Sequence, residues 1–339
     1  MNYRQMALQV ASRAAEVVDA SGAMERIEQQ GYTRVDPFQI AANSGVMVML
    51  RPMEKLLGAF VGETNPGILV NVDRPAGLVH MTCAHELGHF FLGHGSTADQ
   101  QLDYGSSAAR IEQEADLFGY NLLAPRQVMA NVMRRKRWTR KSLMQPSILY
   151  QLSLRMGVSY EALAWSLNRY GLIDDNTVQE LLKVPRSAIK QAVFGGKLPD
   201  PKKEVWLLDE DDKTSILEPR PQDQIVVRLK SHASSGYLWH VESMEAAEQE
   251  GFQLEPLTIP SVHRQGDPLH FGSPETMDYL LTGGRRLSGR PVDFLLAERM
   301  PWVEGELPFD TFSSKAHFEV LETGLTAYAR KRLLEAAAS

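Results

Sequence analysis

The stretch Val79-His80-Met81-Thr82-Cys83-Ala84-His85-Glu86-Leu87-Gly88-His89-Phe90-Phe91-Leu92 decides how this chain is read. It is apolar nearly all round, interrupted by three histidines, one threonine and one glutamate. A helix of that pattern is buried, and Gly93 is placed to stop it. Inside it, His85-Glu86-Leu87-Gly88-His89 fits H-E-x-x-H. Residues four apart lie one above the other on a helix. Both imidazoles can then reach one zinc ion through nitrogen at about 2.0–2.1 Å. Glu86 sits on the adjoining edge of that face, where a carboxylate can take a proton from a water that the metal activates. The bland alternative is a core helix with two histidines at that spacing by accident. It leaves His and Glu among apolar neighbours with nothing to compensate their burial, so the metal reading is preferred.

A catalytic zinc keeps three protein ligands, so one more must come from elsewhere in the chain. His94 is set aside: at about 100° per residue it lies about 140° round the helix from His89, and Gly93 ends the helix first. His80, five residues before His85, is equally out of line and reads as a polar residue at the helix start. The candidates are Glu112 and Glu114 on the next helix, predicted over about 108–124 from the stripe Ile111, Ala115, Phe118 and Leu122. Glu112 shares its face with Asp116, at i+4, while Glu114 points about 200° away. That pairing favours Glu112 as ligand, with Asp116 accepting the ring N–H of a ligating histidine and so fixing its tautomer. Glu114 then reads as a solvated helix charge. Cys83, two residues before His85, falls on the opposite side of the helix and reads as a small core residue.

Outward from this centre, residues 4–17 predict an opening helix and 37–44 a short one. Strand signals follow at 46–50, 58–62 and 67–72, the last two separated by the turn Asn65-Pro66-Gly67. Gly67–Val72 is the candidate edge strand for pairing with an extended substrate. Residues 126–192 read as helical, with breaks near Pro146, Gly157 and Gly171. Residues 195–203, GGKLPDPKK, read as a linker. Beyond it short apolar runs recur (VWLL, QIVVRL, GYLWHV, DYLLT, VDFLLAE, HFEVL) between Gly, Pro and Ser, an all-β texture. Residues 324–337 predict a terminal helix.

The 339 residues suit about two domains, and 43% apolar content excludes a disordered chain. Residues 1–200 carry 21 Lys+Arg against 19 Asp+Glu, whereas residues 201–339 carry 15 against 23. That shift coincides with the linker. A net charge of -6 argues against a polyanion binder. Six cations among residues 134–141, with Trp138 between them, are a candidate contact for nucleic acid or an acidic substrate, but a solvated helix end is the preferred reading. Direct nucleic-acid binding is therefore not expected. One cysteine excludes an internal disulfide and an all-Cys zinc site. No signal-peptide core and no 18-residue apolar window occur, so a cytoplasmic location and no membrane partner are expected.

Residues 36–125 resemble the ImmA/IrrE family of metallopeptidases, through DPFQIA, GILVNV, CAHELGHFFLGH and EQEADLFGYNLLAPRQV. The later QLSLRMGVSYEALAWSLNRYGLI extends the resemblance over about residues 1–195. It implies a Zn2+-dependent endopeptidase with His85, His89 and Glu112 as ligands and Glu86 as base. Asp116 stands where the family often has Asn. It also implies a protein substrate, in described members a helix-turn-helix repressor of phage, mobile-element or stress genes.

A second resemblance lies downstream. SHASSGYLWHV (231–241), FGSPETMDYLL (271–281) and ERMPWVEGE (298–306) look like the three loop regions of chagasin-type cysteine-protease inhibitors, which have an immunoglobulin-like fold. Gly236, Tyr237, Trp239, Gly272, Pro274, Pro301 and Trp302 match, and Ser234, Ser235, Gly236, Tyr237, Gly272, Pro274, Pro301 and Trp302 become candidate recognition-loop residues. His232 and Ala233 replace Asn-Pro, Ser234 and Ser235 replace two threonines, and Met300 replaces an arginine.

The expectation is an α+β protein. Residues 1–125 form a zincin-like metallopeptidase core with a small sheet, and 126–195 its helical extension. Residues 204–322 form a chagasin-like β-sandwich and 323–339 a helical tail. The alternative function is an inhibitor or binding protein acting through the sandwich on a cysteine protease.

Overall fold

A computed structural model describes residues 3–62, 65–94, 97–99, 110–243, 253–257, 275–282, 289–303, 305 and 307–338. Its elements begin with α1 (Tyr3–Ala20), α2 (Ala23–Glu28), α3 (Pro37–Asn43), β1 (Met47–Arg51), β2 (Gly58–Val61), β3 (Gly67–Asn71), α4 (Ala76–Leu92), β4 (Thr97–Asp99) and α5 (Arg110–Leu123). A helical run follows: α6 (Arg126–Arg135), α7 (Pro146–Met156), α8 (Tyr160–Arg169), α9 (Asp175–Lys183) and α10 (Arg186–Phe194). Then come β5 (Val205–Leu208), β6 (Ile216–Leu217), β7 (Gln224–Ser231), β8 (Leu238–Ser243), β9 (Gln253–Leu257), β10 (Glu275–Thr282), β11 (Val292–Arg299), β12 (Asp310–Ala316), β13 (Gly324–Leu325) and α11 (Ala327–Ala338). The architecture is mixed α+β, with three small sheets among the described residues. The chain packs as two compact units, one of residues 1–133, 152–179 and 321–339, the other of 134–151 and 180–320.

In the first unit the sheet order is β13-β1-β3-β2-β4. β3 runs parallel to β1, with Met47 opposite Gly67, and antiparallel to β2, with Gly58 opposite Val70. Gly67–Asn71 is therefore an interior strand, and the edge position expected for it is corrected: both of its ladders are already filled. Buried Asn71 locks the connection from β1 to β2. Its amide N–H groups donate to the carbonyls of Met53 (2.5 Å) and Leu56 (2.9 Å), and its carbonyl accepts from Met53 N (3.3 Å). Helix α4 packs on β2 and β3, α5 packs on α4, and α1 packs on α5.

The last residues of the chain complete this unit. β13 adds to β1, with Met49 opposite Leu325. The Tyr328 hydroxyl donates to Asp36 Oδ2 (2.9 Å), and the Arg332 guanidinium donates to the Ala42 carbonyl. Asp36 is at the same time the N-cap of α3, its Oδ1 accepting from Phe38 N at 2.9 Å. Such a cap contributes about 1 kcal/mol.

The second unit holds two four-stranded sheets, β5-β7-β10-β9 and β6-β12-β11-β8. Most pairings are antiparallel, but β5–β7 and β6–β12 are parallel. Gln151 extends β5 by taking its place in the ladder: Nε2 donates to Val205 O (2.8 Å) and Oε1 accepts from Leu207 N (2.9 Å). Residues 317–321, HFEVL, are not a strand of these sheets. The strand is the preceding Asp310–Ala316, where Phe312, Ser314 and Ala316 alternate inward. Its two serines hide a period-2 pattern from a search for apolar runs. His317 N and Glu319 N instead bond the carbonyls of Leu217 and Pro219, both at 2.8 Å.

Candidate metal centre

Helix α4 is buried from Val79 to His89, as its all-round apolar pattern requires. It lies so close to α5 that a Cβ on Gly88 would fall 2.9 Å from Ala115 Cα. Glycine is what allows this approach, and the approach carries α5 carboxylates to α4 imidazoles.

His85 Nε2 and His89 Nε2 are 3.1 Å apart. Glu112 Oε2 is 3.3 Å from the first and 3.5 Å from the second. These are the three groups among the described residues whose donor atoms converge in this way. Three ligands about 2.05 Å from one tetrahedral ion stand roughly 3.3 Å from one another, so the observed triangle has the dimensions of one face of such a site.

The surrounding hydrogen bonds agree with that fit. His85 Nδ1 is 2.9 Å from Asp116 Oδ1. A carboxylate accepts, so Nδ1 carries the hydrogen and neutral His85 presents its Nε2 lone pair toward Glu112. That lone pair meets a second imidazole nitrogen and a carboxylate oxygen, a cluster of electron pairs that a cation stabilises. The donor set, two imidazoles and a carboxylate, suits zinc.

Glu86 lies outside this triangle. Its side chain is fully buried against β2, where a Cβ on Gly58 would come within 2.7 Å of Oε1. Gly58 was missed from the sequence; a glycine opening a strand under a helix was its only signal.

His94 is not one of the converging groups, yet it is not out of reach. Gly93 ends α4 in the left-handed conformation (φ 73°), and the chain turns so that His94 N bonds His89 O at 2.9 Å. His94 Nδ1 then lies 3.0 Å from His89 Nδ1, and its Nε2 3.3 Å from Glu114 Oε2. The turn after Gly93, rather than the helix angle, sets where His94 lies. Glu114 is likewise not a solvated charge, since it also accepts from Arg110 Nε at 2.7 Å. His80 sits within α4 rather than at its start, buried, with Nδ1 2.8 Å from Gly157 O. Cys83 is fully buried, and burial pushes its thiol well above the ordinary range.

The basic run at 134–141 is partly consumed inside the second unit. Lys136 is buried between Asp209 (2.5 Å) and Asp212 (2.6 Å), and Arg137 reaches Asp211 at 3.2 Å. Lys136 departs from the expected solvated helix end, whereas Arg134, Arg137, Arg140 and Lys141 are exposed.

Ser234 and Ser235 lie in a tight turn ending at Gly236 (φ 88°), and Trp302 covers Gly236 so closely that a Cβ would meet its ring at 2.8 Å. Tyr237 and His232 both pack on Phe309, with ring centroids 4.7 Å away. Buried Glu298 pins the turn, accepting from His232 N (2.6 Å) and facing His232 Nδ1 (2.9 Å). The structure thus joins the 234–237 turn to Pro301–Trp302, and Trp302 is 69% exposed. Gly272 and Pro274 lie outside the described residues. Trp239 is buried, donating to Lys230 O at 2.7 Å, a structural role.

Residues 41–168 match the family of the IrrE N-terminal-like domain, Peptidase_M78. The matched residues run from within α3 to Asn168 in α8 and include all of α4 and α5. No curated protein matches the chain. The C-terminal region is similar to solved structures, among them the following two. One is the cysteine protease inhibitor EhICP2 from Entamoeba histolytica, at 18% identity over 35% of this chain and 100% of that one, with a TM-score of 0.27. The other is the solution structure of amebosin, at 21% identity over 34% of this chain and 98% of that one, with a TM-score of 0.25. Among the described residues no helix is long and apolar enough to cross a membrane.

Proposed function

We propose that this chain is a zinc-dependent endopeptidase of the zincin-like kind, acting on a regulatory protein. A helix-turn-helix repressor is the substrate class that the sequence resemblance implies. The observation that carries the reading is the triangle of His85 Nε2, His89 Nε2 and Glu112 Oε2, with edges of 3.1, 3.3 and 3.5 Å, inside a peptidase-family region. A structural zinc closes its shell with four protein ligands, whereas three converge here among the described residues, which leaves a position for substrate.

Bound there, zinc supplies the Lewis acid that polarises a peptide carbonyl and acidifies water. Glu86 accepts the proton of the attacking water and passes it to the amine nitrogen as the C–N bond breaks. Asp116 holds His85 in the tautomer that offers Nε2. Glu86→Gln should retain zinc and fold while cleavage of candidate repressors falls about 10²–10⁴-fold, the usual worth of a general base. A variant that cleaves at the normal rate rejects this role, and one that loses zinc makes Glu86 a ligand.

In the same reading residues 204–322 form an immunoglobulin-like recognition module, with Ser234–Tyr237 and Pro301–Trp302 as contact loops. The exposed rings of Trp302 (69%) and Phe309 (54%) favour a protein-binding role, which keeps cysteine-protease inhibition as the second reading. The full chain should inhibit papain weakly or not at all, because the Asn-Pro and threonine contacts are replaced. Nanomolar inhibition would promote the second reading.

A further inference from the structure

We infer that His94 and Glu114 are positioning residues for His89, forming with Arg110 a hydrogen-bonded chain that turns the His89 Nε2 lone pair toward the metal site. This rests on the zinc reading above and extends it to residues that the sequence pattern set aside.

The direction of the chain follows from its far end. Glu114 accepts from Arg110 Nε at 2.7 Å, an i to i+4 pair along α5, which marks it as a carboxylate acceptor. His94 Nε2, 3.3 Å from Glu114 Oε2, must then carry a hydrogen. A His94 ring that carries this one hydrogen is left with a lone pair on Nδ1, which faces His89 Nδ1 at 3.0 Å. Only one of two facing nitrogens can donate, so His89 Nδ1 carries the hydrogen. Its lone pair is then on Nε2, the atom 3.1 Å from His85 Nε2 and 3.5 Å from Glu112 Oε2. The side chains of His94 and Glu114 are 8% and 17% exposed, so water competes little for these bonds.

The two histidines of the triangle are thus held by two carboxylates of one helix. Asp116 reaches His85 directly at 2.9 Å. Glu114, on another face of α5, reaches His89 only because His94 spans the gap. His94 can do so because Gly93 reverses the chain, bringing the His94 ring to 5.0 Å from that of His89 at an interplanar angle of 64°.

The test is zinc affinity of the full chain, measured by competition with a chelator, together with the visible absorption spectrum of the cobalt form. His94→Ala should weaken zinc binding about 10–100-fold, as loss of such partners does, and should alter the cobalt spectrum. His94→Asn keeps an acceptor at the Nδ1 position and should restore most of the affinity. Glu114→Ala should shift affinity the same way as His94→Ala, and it serves as the probe if His94→Ala fails to fold by circular dichroism. Wild-type affinity in both alanine variants overturns the inference while leaving the zinc site intact. So does an Asn variant as weak as the Ala one, since the hydrogen bond would then not be the cause. A wild-type chain that binds no zinc overturns the metal reading itself.

Discussion

Gly58 on β2 lies against the carboxylate of Glu86: a methyl group there would come within 2.7 Å of Oε1 and within 2.4 Å of Thr82 Cγ2. Strand and helix are both fixed in this core, so the side chains of Thr82 and Glu86 are what must yield. Gly58→Ala should keep the fold and the bound zinc but lose about 10²-fold or more in cleavage, the order of loss from a displacement of about 1 Å. Full activity in this variant would mean that the placement of Glu86 against β2 has no bearing on the chemistry.

Asp116 accepts from His85 Nδ1 at 2.9 Å. Asp116→Ala should weaken zinc binding about 10–100-fold. Asp116→Asn retains an acceptor oxygen and should lose much less. Chelator competition separates the two, and equal losses would show that the charge of Asp116 matters rather than its hydrogen bond.

Burial holds the Cys83 thiol well above its ordinary pKa, and the nearby Asp36 and Glu86 carboxylates push the same way. Thiolate is the reactive form, so a chromogenic disulfide reagent should leave the native chain unlabelled at neutral pH. One equivalent should react once guanidinium unfolds it. Rapid stoichiometric labelling of the native chain would contradict the burial of α4.

The return of the C-terminus is a stability element of the first unit. Ending the chain at residue 320 removes β13 from β1 and the Tyr328 hydroxyl from Asp36. The charged hydrogen bond alone is worth roughly 2 kcal/mol, which lowers the unfolding midpoint by about 4–8 °C for a unit of this size. Leu334 is 73% exposed, and Leu334→Ala should change stability by less than about 0.5 kcal/mol. A truncated chain with an unchanged midpoint would show that this segment is dispensable.

What the sequence disclosed was local. A four-residue spacing fixes which side chains share a helix face, so His85 with His89, and Glu112 with Asp116, pair on spacing alone. Apolar pattern likewise located α4 and α5. What it hid was set by contacts between distant residues. The interior place of β3 depends on strand order, to which β1, β2 and β3 contribute no distinguishing pattern. The addition of β13 to β1 joins Leu325 to Met49, and nothing in a Gly-Leu dipeptide announces it. His94 was set aside as a ligand and is not one of the converging groups; what stayed hidden is that the turn after Gly93 brings its ring to His89 Nδ1. Lys136 looked like one charge in a solvated run because its partners, Asp209 and Asp212, lie more than seventy positions on.

The central claim is that His85, His89 and Glu112 hold one zinc. Metal analysis of the wild type, Glu112→Ala and Glu114→Ala, each equilibrated with saturating zinc and then desalted, tests it most directly. One zinc per chain is expected in the wild type and essentially none in Glu112→Ala, with Glu114→Ala keeping more zinc than Glu112→Ala even at its weakened affinity. Zinc retained by Glu112→Ala and lost from Glu114→Ala would contradict the assignment.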